Sequence, residues 1–190
     1  MRLILASASP RRLDLLARMG VTPDAIDPAD LDEAALPGEL PRVHALRLAG
    51  EKAAFIAARH PDSLVLAADT VVAVGRRILP KVEDEATLRR CMALLSGRRH
   101  RVLTGVALAI PGAAPRTRLV ETMIAMKRLT DEEIAFYVSH GEWRGKAGGY
   151  ALQGYGEVFV RHIAGSYSNV VGLPLAETRH LLKSAGYVLA

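Results

Sequence analysis

The stretch Leu3-Ile4-Leu5-Ala6-Ser7-Ala8-Ser9-Pro10-Arg11-Arg12 decides how the chain is read. A short apolar strand gives way to two hydroxyls, a proline and two guanidiniums, and proline suits the first turn of a helix. A helix start carries unpaired N–H groups and the positive end of the dipole, both of which favour phosphate. A second stretch, Leu64-Val65-Leu66-Ala67-Ala68-Asp69-Thr70, ends an apolar run in a carboxylate. Open α/β sheets place ligands beyond the carboxyl ends of their strands. An acid there, beside a basic phosphate-type turn, points to metal-assisted phosphate chemistry. Together the two segments predict an enzyme acting on a phosphorylated small molecule.

Outward from these segments, a helix over 11–19 closes at Gly20, and a short strand follows over 21–26. Residues 27–41 are acidic and proline-containing, hence a loop; 42–59 carry apolar residues at helical spacing. Strands over 64–68 and 71–74 flank Asp69-Thr70, and a loop over 75–83 leads to a helix over 84–95. Extended segments 100–110 and 118–127 are joined through Pro111-Gly112-Ala113-Ala114-Pro115 as a hairpin. Thr130 and Glu133 form a capping box for a helix over 131–140. After a glycine-rich stretch, 141–156, come strand 157–163, an apolar segment 170–173 and a helix over 174–185. Alternation at both ends with a hairpin in the middle predicts an α/β protein with a mixed sheet.

The chain has 190 residues and a net charge of +5, with 50% hydrophobic and 24% charged residues, an ordinary globular composition. The arginine pairs are scattered, and aromatics are scarce, which speaks against a base-stacking nucleic-acid platform. The single cysteine, Cys91, forms no intrachain disulfide and reads as a buried thiol in a reducing compartment. The start runs straight into Ser and Pro rather than a signal-peptide core, and no apolar run reaches membrane-spanning length, so a cytoplasmic protein is expected and a membrane partner is not. Oligomeric state stays open, a homodimer being one alternative.

Asp69 reads either as a turn-former or as a ligand-facing acid, and Thr70 adds a hydroxyl for substrate or water. Glu33 is a solvated loop acid or the second carboxylate that Mg²⁺ commonly takes. Lys52, Lys81 and Lys146 are isolated cations; Lys81 and Lys146 lie in loops where an anion can approach. Gly141-Glu142-Trp143-Arg144-Gly145-Lys146-Ala147 is not a P-loop, since its glycines are too close and Ala follows Lys. The histidines lack zinc-ligand spacing, and no Gly-x-Ser-x-Gly elbow occurs.

These motifs resemble the Maf family of nucleoside triphosphate pyrophosphatases almost end to end. The matching blocks are residues 5–12, Asp32-Glu33, Arg47-Leu48-Ala49 with Glu51-Lys52-Ala53, residues 68–72, and Leu94-Leu95-Ser96-Gly97 with His100. Residues 146–154, Gly165-Ser166-Tyr167 and residues 170–175 complete them. The resemblance implies an elongated mixed α/β fold with flanking helices and a central cleft, akin to the inosine triphosphate pyrophosphatases. It implies one domain over 1–190, with two lobes around the cleft. It also implies a divalent cation, Mg²⁺ or Mn²⁺, and hydrolysis between the α and β phosphates of a nucleoside triphosphate.

In that picture Asp69 is the proton acceptor and, with Glu33, a metal ligand. Ser7, Arg12, Lys52 and Lys81 meet the substrate and its phosphates. Arg11, Thr70 and Gln153 mark the branch acting on dTTP and UTP, whose sister branch, acting on 7-methyl-GTP, carries Trp, Gln and Glu at those places. The Gln153 amide, both donor and acceptor, suits the N3–H and a carbonyl of uracil or thymine. The chain departs from the family's Gly-Lys-Pro with Pro80-Lys81-Val82. The competing expectations are hydrolysis of 7-methyl-GTP or another nucleotide, and a regulatory nucleic-acid- or partner-binding protein.

Overall fold

The structure, a computed structural model, describes residues 1–188; the expected domain runs to 190, and residues 189 and 190 lie outside the described residues. Its centre is a mixed sheet. Strand β1 (Leu3–Leu5) pairs in parallel with β2 (Ala25–Ile26) on one side and β3 (Leu64–Val74) on the other. Strand β4 (Arg77–Leu79) folds back on β3, while β6 (Arg99–Ile110), β7 (Ala113–Met126) and β9 (Val160–Ala164) continue the sheet antiparallel. A separate ladder joins β5 (Lys81–Val82) to β8 (Lys146–Ala147).

Helix α2 (Pro41–Ala57) covers one face, where Ala49, Ala53 and Ile56 pack on Ile4, Val65, Ala67 and Ala107. The opposite face carries two separate apolar cores. Helices α1 (Pro10–Arg18) and α6 (Leu175–Ser184) bury Leu15, Leu16, Leu181 and Leu182 against Leu64, Leu66 and Leu108. Helices α3 (Glu85–Leu95) and α4 (Asp131–His140) build the other around Val72, Val102, Met92, Tyr137 and Trp143. Cys91 is buried there, among apolar neighbours as expected. Between the two cores, on the same face, lie Thr70 and Thr104, and the short helix α5 (Tyr167–Val171) crosses above them.

The local signals set several boundaries. The reciprocal Thr130–Glu133 capping box forms, Asp84 caps α3 by accepting from the Thr87 N–H, and Gly20 follows α1 at φ 74°. Elsewhere long-range pairing overrides the sequence reading. The two expected strands around Asp69-Thr70 are one, because every residue from 65 to 73 has a partner on β6. Of the expected strand 21–26 only Ala25–Ile26 forms: Pro23 lacks an N–H, and the Asp24 side chain takes the Leu3 N–H at 2.7 Å. The expected loop 75–83 contains β4 and β5, so Lys81 stands on a strand. The hairpin connection shrinks to Pro111-Gly112, with Ile110 paired to Ala113. Of the expected strand 157–163, residues 157–159 belong to a 3₁₀ turn, Tyr155–Phe159, and of 170–173 Val170 and Val171 end α5, which Ser166 caps.

Candidate active site

The sheet edge itself creates the site. On its open side β3 pairs with β1 at residues 64–66 and with β4 at residues 72–74, leaving the middle of the strand uncovered. Asp69 and Thr70 fall in that gap, in mid-strand rather than at the strand end the sequence suggested. Successive strand residues point to opposite faces, so Asp69 turns toward α2 and Thr70 toward the space between the two cores. A cleft of about 430 Å³ opens at the gap.

Asp69 is paired across the ladder with Gly105. A Cβ at Gly105 would lie 2.2 Å from the Ala45 carbonyl oxygen. The missing side chain therefore lets α2 settle onto β6 and brings Lys52, on the same helix, down to Asp69. The Lys52 Nζ donates to Asp69 Oδ1 at 2.7 Å and lies 2.5 Å from Glu33 Oε1, with Lys52 and Asp69 both buried. Lys81 reaches the other oxygen of Glu33. Burial works against the Glu33 charge, but the hydrogen bonds and charges of Lys52 and Lys81 prevail and hold its carboxyl at about 2. Arg47 anchors the loop that carries Glu33, donating to the Ala34 carbonyl at 3.1 Å and through Nε to Glu39 at 2.7 Å.

Two carboxylates thus converge on one cation position from separate elements. No group of three or more metal-type ligands occurs among the described residues. A hard divalent ion that takes one or two carboxylates, and fills its shell with phosphate oxygens and water, fits this donor pair.

The opposite wall is basic. Arg12 turns inward: Nε donates to the Gly172 carbonyl at 2.8 Å, Nη1 to Ser7 Oγ at 2.9 Å and Nη2 to Thr70 Oγ1 at 3.3 Å. Burial lowers its pKa, against which the neighbouring Asp69 pulls upward. Ser7 Oγ also accepts the Ser9 N–H at 3.2 Å. With both lone pairs engaged, its hydroxyl has only its proton left to offer. Arg11 lines the cleft with no side-chain partner among the described residues. Lys146, on β8, faces the same cleft; burial and then the charge of Arg11 lower its pKa.

Gln153 lies exposed at the rim, on a segment held by Glu142. That carboxylate accepts the Tyr155 and Gly156 N–H groups at 2.9 and 2.8 Å and the Tyr137 hydroxyl at 3.0 Å. A Cβ at Gly154 would lie 2.3 Å from Glu142 Oε2, so a side chain there would displace the carboxylate. Behind the same wall Tyr150 meets His100 Nε2 at 2.7 Å.

Ser7, Arg11, Arg12, Glu33, Lys52, Asp69, Thr70, Lys81 and Gln153 therefore all line one cleft. The Pro80-Lys81-Val82 departure leaves the Lys81 contact to Glu33 in place, because β5 is pinned to β8 and the Pro80 carbonyl accepts the Gly148 N–H at 3.0 Å. Thr104 and Asn169, for which no local motif speaks, are both fully buried under the cleft floor. A threonine inside an apolar strand carries no local signal of what its hydroxyl meets.

The family model described as Maf-like protein matches residues 2–185. The chain belongs to the Maf family. Among curated relatives of this Maf-like chain, the dTTP/UTP pyrophosphatase of Caulobacter vibrioides is 63% identical over 97% of this chain and 96% of its own. The protein of the same name from Novosphingobium aromaticivorans is 61% identical over 97% and 92%. A solved HAM1 protein from Coxiella burnetii shares the fold at 15% identity, with a TM-score of 0.52 over 97% of this chain and 99% of its own. No helix of the Maf-like chain is long and apolar enough to cross a membrane, among the described residues.

Proposed function

We propose that this Maf-family chain hydrolyses dTTP and UTP to the nucleoside monophosphate and pyrophosphate, using Mg²⁺ or Mn²⁺. The observation that carries the reading is one cleft with carboxylates sharing the Lys52 ammonium on one wall and, on the other, basic groups that no carboxylate pairs among the described residues. The names of the relatives supply the substrates. Glu33 and Asp69 would hold the cation together with phosphate oxygens; bound there, it neutralises phosphate charge and polarises the anhydride.

The chain's own groups do the rest. Arg11 and Lys146 bind phosphate oxygens, and Ser7 donates its free proton to another. The second oxygen of Asp69 takes the proton of the attacking water while Lys52 holds the first. Gln153, at the rim, meets the base edge that uracil and thymine share. The whole chain acts as one domain whose two lobes flank the cleft, and its place is the cytoplasm, with the nucleotide pool.

Steady-state hydrolysis of dTTP, UTP, dCTP and 7-methyl-GTP with either metal tests this reading, with pyrophosphate and monophosphate identified as products. Turnover of dTTP and UTP above the others is expected. A preference for 7-methyl-GTP, or release of inorganic phosphate instead of pyrophosphate, overturns it.

A further inference from the structure

The floor of the cleft holds a chain of hydrogen bonds whose proton directions can be worked out. Thr70 and Thr104 are directly paired across β3 and β6, and their hydroxyl oxygens are 3.0 Å apart. Thr104 Oγ1 also lies 3.0 Å from the Asn169 backbone carbonyl, which can only accept. The Gly172 and Leu173 N–H groups both turn to the Ser168 carbonyl, so Thr104 is the donor that Asn169 has. Its single proton is spent there, and it must accept from Thr70.

At the far end of the chain every side-chain polar atom but Asn169 Oδ1 has a partner among the described residues. Asn169 Nδ2 donates to the Val102 carbonyl at 3.0 Å and to Thr122 Oγ1 at 2.9 Å. Thr122 in turn accepts the Ser166 N–H at 3.0 Å and donates to the Ser166 carbonyl at 3.2 Å. Thr104, Thr122 and Asn169 are all 0% exposed, so an unmet partner here has no water to replace it. At the near end Arg12 Nη2, a donor only, occupies one lone pair of Thr70. The Gly172 carbonyl, 3.5 Å from Thr70, already accepts Arg12 Nε at 2.8 Å, and that route also turns the proton away from the cleft.

We propose that Thr104 and Asn169 are positioning residues that commit the Thr70 proton inward, so that Thr70 meets the substrate as an acceptor only. The inference rests on the pyrimidine triphosphate reading and sharpens it. The substrate group that lands on Thr70 must be a hydrogen-bond donor, either the imide N3–H of uracil and thymine or the 3′-hydroxyl of the sugar. Cytosine, whose N3 is an acceptor, is penalised in the first case; a 3′-deoxy sugar is penalised in the second.

The test measures kcat/KM for dTTP, dCTP and 2′,3′-dideoxythymidine triphosphate in wild type, Thr104→Val and Thr104→Ser. Thr104→Val keeps the shape but removes the close acceptor, and the Gly172 carbonyl, 3.5 Å away and already engaged by Arg12, is too distant to hold the Thr70 proton, which is then free to face the cleft. The preference for dTTP over the penalised analogue should fall by about tenfold and return in Thr104→Ser. The dCTP ratio reports the base as donor, and the dideoxy ratio reports the sugar. A merely structural role lowers all three substrates together, and two unmoved ratios in a folded Thr104→Val overturn the proposal. Should Thr104→Val not fold, Thr70→Val must collapse the same ratio, and an unmoved ratio there overturns it equally. Wild type that turns over none of the three defeats the pyrimidine reading itself; wild type active on dTTP with unmoved ratios defeats the relay alone.

Discussion

At Asp69 one carboxylate oxygen is engaged within the protein: Oδ1 accepts from Lys52 at 2.7 Å, and the other has no side-chain partner among the described residues. Asp69→Asn keeps the shape and an oxygen for Lys52 but has no basic oxygen to take a proton. The expected result is a folded protein, by circular dichroism, whose kcat falls by about 10²- to 10⁴-fold. Near wild-type kcat would move the proton to another group. The two adjacent arginines separate in the same way. Arg11 has no protein partner among the described residues, so Arg11→Ala should raise KM and leave the urea midpoint nearly unchanged. Arg12 makes three hydrogen bonds to Ser7, Thr70 and Gly172, so Arg12→Ala should also lower stability, by about 1–3 kcal/mol. An Arg12→Ala protein as stable as wild type would show that these bonds hold nothing together.

Among the elements, the segment between α4 and β9 shows how a local carboxylate can decide secondary structure. Glu142 takes the N–H groups of Tyr155 and Gly156, the orphan donors at the start of the 3₁₀ turn, and the strand begins only afterwards. Gly154 is extended at φ −133°, so alanine suits its backbone; the obstacle is the carboxylate 2.3 Å from the added Cβ. Gly154→Ala should displace Glu142, cost about 1–3 kcal/mol in chemical unfolding, and raise KM for dTTP through the neighbouring Gln153. Unchanged stability and KM together would mean that the Glu142 clasp does not place Gln153. Gly105 acts on a larger piece of structure, since its bare backbone sets how closely the whole of α2 approaches the sheet.

Across the molecule, buried and paired groups set an acid limit to stability. Burial lowers the pKa of His100 from 6.5 to about 4, and its Nδ1 has no partner among the described residues. The unfolded chain binds a proton there that the folded chain refuses, so this contribution is complete above pH 6.5 and is lost as pH falls toward 4. Glu33, held at about 2 against an ordinary 4.5, adds a loss that begins only below about pH 4.5. Glu39 shifts the same way, chiefly through its hydrogen bond from Arg47. His100→Gln can still bond Tyr150 but does not titrate. Between pH 7 and pH 4 the wild type should lose on the order of 3 kcal/mol more than this variant in urea unfolding. Equal losses would show that His100 takes its proton without opposing the fold.

What the amino-acid order determined by itself is what neighbours in sequence decide. The Thr130–Glu133 box spans three residues, and the helix it opens was legible for that reason; Asp84 was expected within α3 and instead caps it, yet that helix was legible too. So was the α/β class, from hydrophobic spacing, and so was the set of residues that line the cleft, because the matching blocks carried them by resemblance. Their arrangement was not legible. Asp69-Thr70 looked like a break, since Asp is poor in strands, yet pairing with β6 carries β3 straight through. Arg12 lines the cleft as expected, but that Gly172, 160 residues away, and Thr70 engage its guanidinium was not legible. The Lys52–Asp69 pair depends on the bare Gly105 under α2, and the Thr70 proton on Thr104 and Asn169 beneath the floor. Contacts between distant segments form only when the sheet closes, so the tertiary structure alone decided what each cleft side chain faces.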